Sequence, residues 1–204
     1  QDSKSTSLRE GRVPFSRMNT VCAAGTGSFL EEQADRLGIP ISEFADLAIG
    51  SKSPLTSDRC TVFMERDINC FLSRNYETPE ILAGSAHSVC ENYLLKVASE
   101  GHIGSVIVFQ GATAKNRALV AAFEQKLGRG VFVSRYCHLT GAYGAALSLI
   151  ESDSRETSFR GISISSKRIP VSMETCGYCG NNCRITVADI DGATAAYGFL
   201  CGRD

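Results

Sequence analysis

The chain has 204 residues, enough for one medium domain with a packed core and a small further module. Hydrophobic residues make up 43% and the formal net charge is −1, which leaves no electrostatic case for nucleic acid or a membrane surface as partner. No apolar run is long enough to span a bilayer, and the N-terminus lacks the charged and apolar regions of a signal peptide. The nine cysteines therefore point to a reducing, cytoplasmic setting and to metal ligation before disulfides. Residue 1 is Gln rather than Met, which suggests a chain cut from something longer.

Residues 1–21 are polar and then mixed, and Gly11 and Pro14 interrupt any helix, so short strands or a hairpin are expected. Val21-Cys22-Ala23-Ala24-Gly25-Thr26-Gly27 follows, an apolar approach ending in a cysteine and then small residues. Ser28 fits the N-cap of the next helix and Glu31 its capping-box partner, with Leu30, Ala34 and Leu37 at helical spacing and Gly38 and Pro40 closing the element. A thiolate one short loop before a helix start is stabilised by the free amides there. A buried cysteine at a strand end before a tight turn fits the same residues.

A short helix is expected at Ser42–Ile49, a loop at 51–54, and helix or strand from Cys60 to Leu72. Thr78, with Pro79 behind it, begins a helix whose Leu82, Ala86, Val89, Tyr93 and Val97 form an apolar stripe. The continuous run Ser105-Val106-Ile107-Val108-Phe109 reads as a strand buried on both faces. Gln110 to Asn116 lead from it into a helix with Leu119, Val120, Phe123 and Leu127. Then come Gly128, a strand at Val131–Val133, and a small-residue helix beginning Thr140-Gly141-Ala142-Tyr143-Gly144. This order is α/β with at least one parallel strand pair.

Three glycine-bearing loops, Gly25-Thr26-Gly27, Gly111 to Asn116 and Gly141 to Gly144, sit where open α/β sheets bind ligands, at strand ends leading into helices. They suit a nucleotide or another anion; tight helix–sheet packing accounts for small residues equally well. Cys70, Cys90 and Cys137 lie in apolar neighbourhoods and read as core residues, and the three histidines have no ligand spacing. From Ser152 to Ser172 the pattern lapses into a Ser-, Arg- and Lys-rich linker. Cys176, Cys179, Cys183 and Cys201 then crowd into the last 29 residues, with short strands at Arg184–Val187 and Ala195–Leu200 around an Asp191-Gly192 turn. Four thiolates at that spacing suit zinc or an iron–sulfur centre.

The ordered segments Asn19–Glu31, Arg59–Glu65, Ala83-Gly84, Phe109–Asn116 and Thr140–Ala146 resemble the ATP-dependent activators of 2-hydroxyacyl-CoA dehydratases and the benzoyl-CoA reductase ATPase subunits, over residues 1 to about 150. The resemblance implies an actin/Hsp70-type fold of two ribonuclease-H-like lobes around ATP, of which this chain is the C-terminal lobe (1–151). A linker (152–172) and the start of a cysteine-rich domain (173–204) follow. It implies homodimers that share one [4Fe-4S] cluster, two cysteines from each subunit, at positions matching Cys22 and Cys60. ATP binding and hydrolysis, with Mg²⁺, would drive a low-potential electron into a dehydratase or reductase partner. Gln1-Asp2-Ser3-Lys4 resembles the tail of a phosphate-binding motif, which makes Asp2 the catalytic candidate. Gly25, Thr26, Gly27, Gly111, Ala112, Asn116 and Gly141 become the nucleotide contacts.

Two departures qualify this. Gly111-Ala112 stands where the shorter activators usually carry Gly-Gly, and the first lobe is missing, so the chain holds half an ATP site. The cysteine-rich tail resembles that of large activase-like proteins, and the electron-transfer setting favours a second iron–sulfur cluster over zinc there. The rival readings are an ATPase-fold fragment that holds metal structurally, and a sugar-kinase-like lobe without a cluster.

Overall fold

The computed structural model describes residues 3–19, 27–56, 61–98, 100–152, 159 and 161–201. The chain divides into two units, Gln1–Ser152 and Asp153–Asp204, each of which is taken by itself.

The first unit opens with an antiparallel hairpin of β1 (Lys4–Arg9) and β2 (Arg12–Met18). Glu10 and Gly11 turn it with φ of 51° and 71°, the positive-φ pair that two-residue hairpins favour. Four helices follow: α1 (Gly27–Arg36), α2 (Phe44–Ala48), α3 (Thr61–Ser73) and α4 (Thr78–Lys96). A short parallel pair, β3 (Val108–Phe109) and β4 (Phe132–Val133), flanks a 3-10 turn (Ala112–Lys115) and α5 (Arg117–Leu127). α6 (Thr140–Glu151) ends the unit. This is α/β order, and the parallel pair joined through α5 is the crossover expected from the sequence.

α4 is the centre of the core. It packs against α1, α2, α3 and α5, and Ile81, Leu82, Ala83, Gly84, Ser85, Ala86, Ser88, Val89, Cys90 and Asn92 are all buried along it. The expected five-residue stripe thus understates its burial, which extends over most of its circumference. Burying Ile81 and Leu82 completely contributes about 1.5–3 kcal/mol each. Phe44 from α2, Met64 and Ile68 from α3, and Leu119 and Phe123 from α5 complete the cluster. Gly84 lets the loop before α3 in: a Cβ there would lie 3.2 Å from both Pro54 Cγ and Thr56 Cγ2. The Tyr93 hydroxyl donates to the Lys4 carbonyl at 2.7 Å, and Phe15 stacks on His102 at 3.9 Å, so the hairpin is tied at two points.

Four local expectations need correction. α1 begins at Gly27, so Ser28 lies inside its first turn rather than before it. The N-cap of α4 is Glu77, one residue ahead of Thr78, and Glu80 closes the capping box by accepting the Glu77 N–H at 3.1 Å. α2 runs Phe44–Ala48, shorter at both ends than the expected helix over 42–49, while the segment after Cys60, open between helix and strand, is helix. The Ser105–Phe109 run gives a two-residue strand with one open face: Val106 and Val108 are 77% and 49% exposed, while Ile107 and Phe109 pack inward.

In the second unit a 3-10 turn (Ile162–Ser166) precedes an antiparallel sheet in the order β5 (Val171–Thr175), β6 (Arg184–Ile190), β7 (Ala193–Tyr197). Asp191 and Gly192 make the β6–β7 turn, as read from sequence, with φ of 56° and 81°. β5 lies partly in the stretch read as linker; all five of its residues are exposed, so no hydrophobic alternation announced it.

Candidate functional site

Three helix starts meet in the first unit. At Gly27, the first residue of α1, an added Cβ would sit 3.0 Å from Thr113 Cγ2 of the 3-10 turn. Glycine at this position leaves room for the Thr113 side-chain methyl against the start of α1. Gly111, at the head of that turn, has φ of 98°, a conformation L side chains rarely adopt. Its N–H donates to the Cys137 carbonyl at 2.8 Å, and the Thr140 hydroxyl at the start of α6 donates to the same carbonyl at 3.1 Å. The Cys137 carbonyl therefore fixes the second loop to the third, while the Gly27–Thr113 contact fixes it to the first.

The helix ends differ in what they offer. Asn116 Oδ1 accepts from Ala118 N at 3.0 Å and from Leu119 N at 3.1 Å, so α5 is capped by its own loop. α6 has Leu139 at its N-cap and no side-chain cap. An open cleft of about 670 Å³ adjoins the 3-10 turn. Val120, Val131 and Val133 give it an apolar wall, and Lys115, Arg117 and Arg135 bring positive charge to its lining. Arg117 is shared with Asp46 at 3.5 Å. Glu124 lines it too, its carboxylate accepting from Val131 N at 2.9 Å, and the cleft lies beside the expected nucleotide contacts rather than being lined by them.

Of the residues expected to touch a nucleotide, Gly27, Gly111, Ala112, Asn116 and Gly141 fall on this cluster of loops. Asp2, Gly25 and Thr26 lie outside the described residues, as do the two cluster candidates Cys22 and Cys60. What is described is where those cysteines lead: Cys60 is the residue before α3 starts, and Cys22 is five residues before α1. Arg36 joins the two helices, bonding Glu65 Oε1 at 2.8 Å and also Asn69 Oδ1. Arg135 was not singled out by sequence reasoning, Thr113 and Lys115 entered only as members of the Gly111–Asn116 loop, and Cys137 only as a core residue. For Cys137 no signal exists, because it acts through its carbonyl.

The other thiols behave as core residues to differing degrees. Cys90 and Cys137 are buried and Cys70 is half-buried. Burial, reinforced by the Glu91 carboxylate, pushes the Cys90 thiol up to about 12, so it is no thiolate ligand near neutrality. In the tail, Cys176 and Cys183 face each other across the β5–β6 hairpin, with Cys176 N donating to Cys183 O at 2.8 Å. Among the described residues, no three His, Cys, Asp or Glu side chains converge as metal ligands, and no helix is long and apolar enough to cross a membrane.

Residues 1–148 match the BadF/BadG/BcrA/BcrD ATPase family. The (R)-2-hydroxyglutaryl-CoA dehydratase activating ATPase of Acidaminococcus fermentans is 34% identical over 148 residues, 72% of this chain and 56% of the relative. The 2-hydroxyisocaproyl-CoA dehydratase activator of Clostridioides difficile is 34% identical over 149 residues, with the same two coverages. A benzoyl-CoA reductase subunit of Thauera aromatica is 31% identical over 143 residues, 67% of this chain and 51% of the relative. The chain thus spans about half the length of these relatives.

Two solved structures agree. The crystal structure of component A of the A. fermentans (R)-2-hydroxyglutaryl-CoA dehydratase superposes with a TM-score of 0.68 at 32% identity, covering 74% of this chain and 59% of the other. The C. difficile 2-hydroxyisocaproyl-CoA dehydratase activator, solved with bound ADPNP, gives 0.64 at 30%, covering 78% and 62%. A family match over 148 of 204 residues, on a fold that brings the glycine loops to one place, means that this chain belongs to the BadF/BadG/BcrA/BcrD ATPase family.

Proposed function

We propose that this chain is the C-terminal ATPase lobe of an ATP-dependent activator, one that delivers electrons to a 2-hydroxyacyl-CoA dehydratase or a related CoA-ester reductase. The observation that carries the reading is the meeting of Gly27, the Gly111–Asn116 turn and the start of α6 around the Cys137 carbonyl. In this reading Gly25 to Gly27 and Gly111-Ala112 bring backbone close to the nucleotide, and Gly141 opens the α6 end toward it. Lys115 and Arg135 add charge beside it. Asp2 belongs to the phosphate side and works with Mg²⁺. Part of the phosphate apparatus lies in an upstream lobe, so the 204 residues alone turn ATP over slowly or not at all.

Cys22 and Cys60 would hold the [4Fe-4S] cluster together with the same pair from a second subunit of a homodimer. In sequence Cys60 immediately precedes α3 and Cys22 precedes α1 by five residues, and in this reading the helix starts would favour their thiolate forms. When bound, the cluster supplies a one-electron carrier whose potential is set by its surroundings. The chain's own part is to brace the two helices that follow these cysteines, through Arg36 at the end of α1 to Glu65 and Asn69 of α3.

The test is iron and acid-labile sulfide analysis of anaerobically purified protein, alongside titration with a fluorescent ADP analogue. About two irons per chain are expected at this site, and Cys22→Ser or Cys60→Ser should remove that amount, leaving any iron held by the tail cysteines and circular dichroism unchanged. ADP binding should be abolished by Gly111→Val. Iron-free protein with both thiols intact sinks the electron-transfer reading, and nucleotide binding indifferent to Gly111→Val sinks the site.

A further inference from the structure

The second unit has almost no core. Among its described residues only Cys183, Ile185 and Ala188 are buried, at 6%, 8% and 6% exposure, while Val171, Met173, Tyr178, Tyr197 and Leu200 stand in solvent. A module of this size with three buried side chains is short of the apolar burial that stabilises small domains, and such modules are ordinarily fastened by a metal or by disulfides.

The sheet brings the thiols to one end. Pairing of Thr175 with Arg184 continues into the Cys176–Cys183 hydrogen bond, which closes the base of the β5–β6 hairpin. Cys179 lies in the hairpin loop, where Asn182, at φ of 44°, turns back and donates its N–H to the Cys179 carbonyl at 3.3 Å. β7 returns antiparallel to β6, and Gly198 lies so close to Arg184 that a Cβ would come 3.0 Å from the Arg184 carbonyl oxygen. Cys201, three residues on, therefore leaves the sheet at the Cys183 end.

We propose that Cys176, Cys179, Cys183 and Cys201 form a four-thiolate metal centre, zinc or iron–sulfur, that fastens the second unit. The thiols are free rather than paired, and their side chains are not gathered into one shell. Closing that shell takes movement of the 177–182 loop and of residues 199–201, neither of which is held in a strand ladder. Metal binding of this kind is coupled to ordering of the ligand loops. The inference stands apart from the activator reading, because all four cysteines lie beyond the family-matched stretch of residues 1–148.

The 204-residue chain carrying Cys22→Ser and Cys60→Ser, purified anaerobically, makes the test specific, since metal that remains belongs to the tail. Expected are one equivalent of zinc, or iron and sulfide with visible absorption, and four tail thiols shielded from iodoacetamide until a chelator is added. Zinc assigns the centre a structural role; iron and sulfide assign it a redox one. A metal-free chain whose tail thiols alkylate at the rate of free cysteine overturns the proposal, as does a Cys176–Cys183 disulfide in its place. Should the double variant not fold, Cys183→Ser in the otherwise native chain must remove that same equivalent and lower the melting temperature. Unchanged metal content there refutes the centre.

Discussion

Replacing Gly27 by alanine tests whether the start of α1 and the 112–115 turn share one site. The new Cβ would meet Thr113 Cγ2 at 3.0 Å, where ordinary contacts begin at 3.4 Å, so one element must yield by about 0.4 Å. A β-branched side chain cannot easily swing away, and overpacking by one methyl costs about 1–3 kcal/mol. Lower unfolded-state entropy returns about 0.4–1 kcal/mol. The net loss is about 1 kcal/mol, which for a unit of this size is a fall in melting temperature of roughly 2–4 °C. Thr113→Ser removes the clashing methyl, so Gly27→Ala should cost much less in that background, with a coupling energy of about 1 kcal/mol in the double-mutant cycle. Thermal denaturation of the four proteins measures it. Equal losses in both backgrounds, or no loss at all, would show that Gly27 and Thr113 do not constrain each other.

Asn116→Ala removes the acceptor for the Ala118 and Leu119 amides and should cost about 1 kcal/mol in urea unfolding, whereas Asn116→Asp should keep most of it; equal losses for the two would mean that the cap is not the cause. His87 has its pKa lowered, chiefly by burial and against the opposing pull of Glu91. The folded state then resists protonation, so stability is retained above about pH 6.5 and falls as pH drops through that value toward the folded pKa. His87→Gln should flatten that part of the stability–pH curve, and an unchanged slope would assign it to other groups.

The local grammar of this chain was legible and its burial was not. Hairpin, helices, parallel pair and crossover helix all follow from glycine positions, capping residues and apolar spacing, which act over a few residues. Errors at helix starts were of one or two residues: α2 begins at Phe44 rather than Ser42, and Glu77 caps α4 through a reciprocal pair with Glu80 where Thr78 looked the better acceptor. The open face of β3 and the whole of α6 are a different matter. Val108 and Phe132 are register partners and both stand exposed, and α6 has no buried residue although it carries Tyr143, Leu147, Leu149 and Ile150. An apolar pattern reports that a surface favours cover; whether it is covered depends on which other surfaces share the molecule.

The site divides the same way. Glycines that permit close approach or a positive φ mark a sequence visibly, and so Gly27 and Gly111 were found. What they approach is set by the fold: Thr113 is an ordinary turn residue, and Cys137 reads as a small core side chain, which it is, at 2% exposure. Its carbonyl nonetheless accepts from both Gly111 and Thr140. One oxygen with two donors ties both loops to the same point, each hydrogen bond contributing about 0.5–1.5 kcal/mol net. That backbone oxygen keeps the second and third loops at a fixed spacing, and this spacing lets small, separately weak glycine motifs act as one surface.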